Sequence, residues 1–155
     1  MSIEKVRAYL RERGAEDKIR IFDVSSATVE LAAKALGTEE ERIAKSMAFL
    51  VDGKPVIVVT AGDMKIDNAK FKSFFHTKAK MLIPDELVGR VGHAMGGVCP
   101  FALNDGCTVY LDESLTRFDI VYPAAGSANS AVELSVPELE TLSGAKGIID
   151  VCKVK

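Results

Sequence analysis

Ile3, Val6, Tyr9 and Leu10 recur at the spacing of one helical face and stop before Gly14, which predicts a short amphipathic helix closed by a glycine C-cap. Val29, Ala32, Ala33 and Leu36 form a second apolar stripe, with Ser25 and Ser26 as N-cap candidates and Gly37 just past the last apolar position. Thr38 and Glu41 stand at capping-box spacing and predict a short helical turn reaching Ile43 and Ala44. From Lys45 onward the period changes. Met47 to Val51 and Pro55 to Thr60 are apolar and rich in β-branched residues, and they flank Asp52-Gly53, a dipeptide that favours a tight hairpin turn. A buried β-hairpin is expected there. Cys107 to Leu111, Ile120 to Tyr122 and Ala131 to Leu134 read as further strands, bounded by Gly, Pro and Asp. Pro84 to Val88 has the form of a proline-started helix, and Ser135 to Glu138 repeats the capping box ahead of Leu142 and Gly144. Ile148 to Val151 predicts a last short strand.

A hairpin and a late cluster of strands, interrupted by helices at irregular intervals, depart from strict β-α-β alternation. The expected class is α+β with a mixed sheet. No repeat, low-complexity tract or Pro/Ser-rich linker interrupts the 155 residues, so one domain spanning 1–155 is expected. A chain of this length buries about 70% of its unfolded surface and needs neither disulfide nor metal to fold. The three cysteines, Cys99, Cys107 and Cys152, are odd in number and form no C-x-x-C pair, which points to a reducing, cytoplasmic setting. No window approaches the roughly 18 uninterrupted apolar residues of a membrane span, and the N-terminal run mixes charge into its apolar positions. A soluble protein without a membrane partner is expected.

Twenty basic and 22 acidic side chains leave a net charge of −2, which excludes the global basic field of non-specific duplex DNA binders. Any nucleic-acid contact has to be local. Met64 to Lys80 is the candidate segment, because Lys65, Lys70, Lys72, Lys78 and Lys80 face a single Asp67, with Phe71, Phe74 and Phe75 interleaved. Two readings stand side by side: an amphipathic helix that buries its Phe residues and solvates its Lys residues, or a phosphate-contacting face.

Three places carry candidate chemistry. Lys45 sits where a helical turn gives way to a very apolar strand, so its ammonium is expected to be partly dehydrated and to seek a carbonyl or phosphate oxygen; a lysine that snorkels from the strand's first residue is the plainer reading of the same pattern. Gly92 to Ala102 holds three glycines and a proline in neither helical nor strand period, an irregular loop whose backbone N–H groups can approach a carbonyl, or a plain tight connection. It has neither the Walker loop's Gly-Lys-Ser/Thr nor the dinucleotide glycine spacing. Pro123 to Ser130 is a small-residue loop that either permits close strand packing or floors a pocket. Cys99 lies in the glycine loop six residues from His93, so a thiol hydrolase is a further reading, beside a simple buried thiol. His76 and His93 make no H-x-x-x-H or H-E-x-x-H pair, and no metal site or cofactor is expected.

Four segments occur in an order that resembles the YbaK family, the domain associated with prolyl-tRNA synthetase that clears mischarged aminoacyl-tRNA. They are Glu30 to Gly37, Ile43-Ala44-Lys45-Ser46, Gly96-Gly97-Val98-Cys99-Pro100-Phe101, and Val121 to Gly126. The resemblance covers nearly the whole chain. It implies a six- or seven-stranded, barrel-like mixed sheet wrapped by helices, and hydrolysis of the ester joining an amino acid to the tRNA 3′ adenosine. It also implies that Lys45 contacts substrate oxygen, that Gly96 and Gly97 help hold the substrate carbonyl, and that Pro100 and Phe101 fix the loop. Ser46, His93, Gly126, Ser127 and Asn129 are implied as further substrate neighbours, and Ala48, Leu50 and Ala124 as the lining of a small pocket. Water would be the nucleophile, activated with help from the substrate's own ribose hydroxyl, so that positioning and electrostatics supply the rate.

The small lining implies alanine, cysteine or serine on tRNA-Pro as substrate, although an apolar pocket separates neighbours by only about 1–3 kcal/mol per methylene. Ala102 stands where many relatives have glycine, and Asn129 and Ser130 where other branches place a charged or histidine side chain; these positions are expected to tune specificity. Lys70, Lys72 and Lys78 are expected to meet tRNA phosphates, and prolyl-tRNA synthetase is a candidate partner. The competing reading from another class is a non-catalytic module that binds an aminoacyl-adenosine-like ligand or a synthetase.

Overall fold

The computed structural model describes residues 2–155. In chain order the elements are α1 (Ile3–Glu12), β1 (Ile19–Ile21), α2 (Val29–Leu36), β2 (Ile43–Val51), β3 (Lys54–Ala61), β4 (Met64–Ile66), α3 (Asn68–Phe75), α4 (Pro84–Arg90), β5 (Thr108–Asp112), β6 (Ile120–Pro123), β7 (Ser130–Val132), β8 (Leu134–Ser135), α5 (Val136–Ser143), β9 (Ile148–Ile149) and β10 (Cys152–Val154). A six-stranded mixed sheet in the order β8-β6-β2-β3-β5-β9 curls into a half-barrel, and two short antiparallel ribbons, β1-β7 and β4-β10, stand beside it. The α+β class and the six-stranded core agree with expectation.

The hairpin β2-β3 is the centre of the sheet. Asp52 (φ 50°) and Gly53 (φ 77°) both take positive φ, as the two-residue turn requires, and the register runs unbroken from Val51↔Lys54 to Ala44↔Ala61. The pleat then sorts the side chains. Ala44, Ala48, Ile57 and Val59 enter the main core with Leu111, Val121 and Leu134, while Phe49, Val56 and Val58 meet Phe71 and Val151 on the opposite face. Because β3 is covered on both faces, it reads as one apolar run rather than an alternation.

Several local expectations are corrected. The N-cap of α2 is Thr28, whose Oγ1 accepts the Leu31 N–H at 3.2 Å, and not Ser25 or Ser26. Ser26 is buried, its N–H given to the Ala128 carbonyl at 2.7 Å. The Thr38/Glu41 box does not form. A short 3₁₀ turn (Glu40–Arg42) stands there without a side-chain cap, and Arg42 instead holds Glu39 and Asp119 at 2.8 and 2.9 Å.

The Lys-rich segment is not one helix. Met64–Ile66 pairs with β10, Asp67 caps α3 through the N–H groups of Ala69 and Lys70, and α3 ends at His76 in the left-handed region. Ala131 to Leu134 divides between β7, paired with β1, and β8, paired with β6. Ile148 to Val151 likewise gives way to β9 and then β10. Among the described residues no helix is long and apolar enough to cross a membrane.

Candidate active site

β2 is paired with β3 along its whole length, but on its other edge β6 accompanies it only at Ile43 and Ala44. The chain returns to that edge further on, where Leu82 N–H reaches the Ala48 carbonyl at 3.0 Å and Leu50 N–H reaches the Lys80 carbonyl at 2.8 Å. Between the two contacts the edge is bare. Ladder alternation points the backbone of Ser46 the same way as that of Ala48 and Leu50, away from β3, so its N–H and C=O face the gap without a strand partner. Ser46 Oγ is also buried and has no hydrogen-bond partner. Three polar groups of one residue are thus unpaired at one place, where buried polar groups are ordinarily satisfied.

The gap opens into a cavity of about 390 Å³. Its lining is small and apolar: Ala44, Ala48, Val98, Ala124 and Ala131 form much of the floor, Val29 and Ala32 of α2 one wall, and the exposed Met81 and Met95 the mouth. Among the described lining residues Lys45 and Tyr122 are the ionisable ones, and no His, Cys, Asp or Glu reaches this cavity. Lys45 and Ser46 lie on opposite faces of the strand, and both border the cavity because it wraps the bare edge. The Lys45 ammonium is half-buried and donates to the Met64 carbonyl at a long 3.3 Å. Burial pushes its pKa below the ordinary lysine value, nearby Lys155 adds to the shift, and Cys152 opposes it.

The glycine loop meets the cavity through Gly96, at φ 90°, a backbone region that favours glycine. Gly97 does not line it. A Cβ there would lie 2.9 Å from the carbonyl carbon and oxygen of Gly126 and 3.0 Å from the Ser127 nitrogen, so Gly97 lets two loops touch backbone to backbone. Gly126, at φ 93°, is pressed in turn against Ser2 and Val6 of α1.

Other expected neighbours stand behind the wall. His93 is fully buried, with Nε2 2.7 Å from the Phe101 carbonyl and 3.4 Å from Cys99 Sγ. Burial keeps its pKa below the ordinary histidine value, against the opposing pull of the Phe101 carbonyl. Phe101 and Pro100 are buried, and Leu50 packs against the main core, so none of them borders this cavity. Ser127 Oγ donates to Asn129 Oδ1 at 2.9 Å and lies 2.6 Å from Ser130 Oγ, while Asn129 Nδ2 binds the Phe22 carbonyl at 3.1 Å. These side chains brace the loop that presents Ala124 and Ser130 to the cavity.

Cys99 is equally withdrawn: burial pushes its thiol up to about 12, and it is inaccessible. A thiolate nucleophile does not fit that setting. Lys70 is occupied by Asp150 at 2.9 Å and the Cys152 carbonyl at 3.0 Å, whereas Lys72 and Lys78 are exposed. Met81 and Thr28 had no motif to mark them, since the first arrives by a single bridge to Phe49 and the second by the cap of α2. Among the described residues no cluster of His, Cys, Asp and Glu is arranged to hold a metal.

The half-barrel fold belongs to a known class. The chain is a member of the aminoacyl-tRNA editing domain family, whose sequence model matches residues 24–142. It is 49% identical over 154 residues to the uncharacterized protein YwhH of Bacillus subtilis (strain 168), a match covering 99% of this chain and 98% of that protein. A proline–tRNA ligase from Leuconostoc citreum (strain KM20) is 28% identical over 114 residues, and the match takes in 73% of this chain but 20% of the ligase. The fold superposes with a TM-score of 0.89 on the crystal structure of a candidate trans-editing enzyme for prolyl tRNA synthetase, at 28% identity, covering 98% of this chain and 97% of the other.

Proposed function

We propose that this protein is a trans-editing deacylase that hydrolyses the ester of a mischarged aminoacyl-tRNA carrying a small amino acid. The observation that carries the reading is the bare β2 edge at Ser46 inside a small apolar cavity. An aminoacyl ester brings a carbonyl oxygen, which accepts hydrogen bonds, and an α-ammonium, which donates them. Ser46 N–H suits the first, and Ser46 C=O and Oγ suit the second. Lys45, held to Met64 by a long bond, can exchange that carbonyl for a substrate oxygen and stabilise the charge that grows on it.

No His, Cys, Asp or Glu among the described residues lines the cavity, and with the Lys45 ammonium held to Met64 the activation of the attacking water is assigned to the substrate's own free ribose hydroxyl. Water adds its oxygen to the acyl carbon, the bond to the ribose oxygen breaks, and that oxygen leaves with a proton. The alanine floor favours alanine, cysteine or serine, and the related segment in proline–tRNA ligases makes tRNA-Pro the first candidate carrier.

The lack of a carboxylate or imidazole in the cavity lining favours one other reading, a module that binds such an ester without turning it over. A panel of tRNA-Pro charged with alanine, cysteine, serine or proline separates the two. Release above the spontaneous rate that disappears in Lys45→Ala is the expected result; binding without release from any member supports the module instead.

A further inference from the structure

The β4-β10 ribbon carries a pairing that a sheet ordinarily avoids. Its register sets Lys65 directly opposite Lys153, both exposed, while their neighbours Ile66 and Cys152 turn inward. Directly opposed side chains in an antiparallel pair have Cβ atoms roughly 4.5–5.5 Å apart, and like charges so placed destabilise the pair. Neither ammonium has an ion-pair partner among the described residues. The nearby carboxylates make their hydrogen bonds elsewhere: Asp63 holds Arg117 through two bonds of 3.0 and 2.6 Å, Asp150 holds Lys70, and Asp67 caps α3, with the charge of Lys153 adding to the cap's lowering of the Asp67 pKa.

The ribbon adjoins the cavity. Lys45, which borders the cavity, ends on the carbonyl of Met64, the residue preceding Lys65, and Lys155 is close enough to lower the Lys45 pKa further. Lys45, Lys65 and Lys153 therefore lead away from the bare strand edge, none of them in a salt bridge among the described residues, in a chain whose net charge is −2.

We infer that Lys65 and Lys153 form a phosphate-binding surface that holds the backbone of the tRNA's acceptor end as its 3′ terminus enters the cavity; this rests on the deacylase reading of that cavity. A polyanion lying across the ribbon turns the repulsion between the two lysines into attraction for a shared phosphate. The ribbon meets backbone phosphate, so it carries position and no sequence information.

The test is the salt dependence of binding of uncharged tRNA-Pro to the full chain, read by fluorescence anisotropy. Each phosphate neutralised adds about 0.7–0.9 to the slope of log K against log salt, so Lys65→Gln/Lys153→Gln, which removes the contact to one shared phosphate, is expected to lower that slope by about 0.7–0.9. Lys54→Gln/Lys146→Gln, which removes exposed charges elsewhere, is expected to leave the slope unchanged. Lys153→Glu adds a readout that a merely structural role would not give. It creates an ion pair with Lys65, so thermal stability should rise while tRNA affinity falls.

An unchanged slope in the Lys65/Lys153 variant overturns the inference. So does absence of salt-dependent binding by the wild type, or a weakening found only in Lys72→Gln/Lys78→Gln on the α3 side. Because the tRNA is uncharged, these outcomes stand apart from hydrolysis, whose failure would count against the deacylase reading.

Discussion

Replacing Ser46 by alanine should make the protein more stable and less active. Its hydroxyl is buried without a partner, and such a group costs about 1–3 kcal/mol relative to a hydrogen-bonded one. Ser46→Ala removes one oxygen that no hydrogen bond holds, so only its packing contacts are lost against the gain. A stabilisation of about 1 kcal/mol is expected, a Tm higher by about 2–4 °C for a chain of this size. The same oxygen is assigned to the substrate's α-ammonium, and a hydrogen bond to a charged group contributes about 1.5–3 kcal/mol. Its removal should therefore lower kcat/KM about 10- to 150-fold.

Ser127→Ala provides the contrast. Its hydroxyl lies 2.6 Å from Ser130 Oγ and donates to the exposed Asn129, so removing it orphans the buried Ser130 hydroxyl and should cost about 1–3 kcal/mol. Urea denaturation and steady-state deacylation on the same preparations read both quantities. A Ser46→Ala variant that is less stable and keeps full kcat/KM would refute the reasoning, because the hydroxyl would then be serving the fold and not the substrate.

Three further outcomes are expected. Gly97→Ala should destabilise by about 1–3 kcal/mol, since its Cβ would meet backbone of Gly126 and Ser127 that no rotamer can move. Gly89→Ala, on α4 with nothing within 4 Å, should gain about 0.5–1 kcal/mol, and urea melts showing the same sign for both would refute the packing argument. Lys45→Met should stabilise the protein at neutral pH, because the charged ammonium is disfavoured by burial in the folded state. The gain should shrink as pH rises from the lowered folded pKa toward about 10.4, where the unfolded chain also loses the proton. A stability difference that stays flat across that window would contradict it. Cys99→Ala should leave deacylation unchanged, with the native thiol unreactive toward iodoacetamide at neutral pH; activity lost in this folded variant would restore the thiol mechanism.

The chain's own pattern was enough to write down the hairpin, the proline-started α4, the capping box at Ser135 and the α+β class. Each of these rests on residues adjacent in sequence: a two-residue turn, a cap three positions from its amide, an apolar run. Lys45 and the glycine loop were also marked, by a change of period and by residues that fit no period, while Ser46 was marked only by the family resemblance. Strands of two or three residues, such as β1, β4 and β10, were not legible, because at that length alternation does not exist and pairing comes wholly from a distant partner.

The site itself was decided by tertiary structure. Whether Ser46 is bonded or bare depends on where β6 stops, at the sequence-distant Ala44↔Pro123 pair, and on where the chain before α4 returns. The same holds for the residues that changed role. His93, Phe101 and Cys99 share the loop of Gly96 yet turn into the core, and Lys70, which has the same composition cue as Lys65, is neutralised by an aspartate 80 positions on. Charge and hydrogen-bonding capacity are properties of a residue. Whether they remain unspent, and so available to a ligand, is a property of the neighbours that folding supplies.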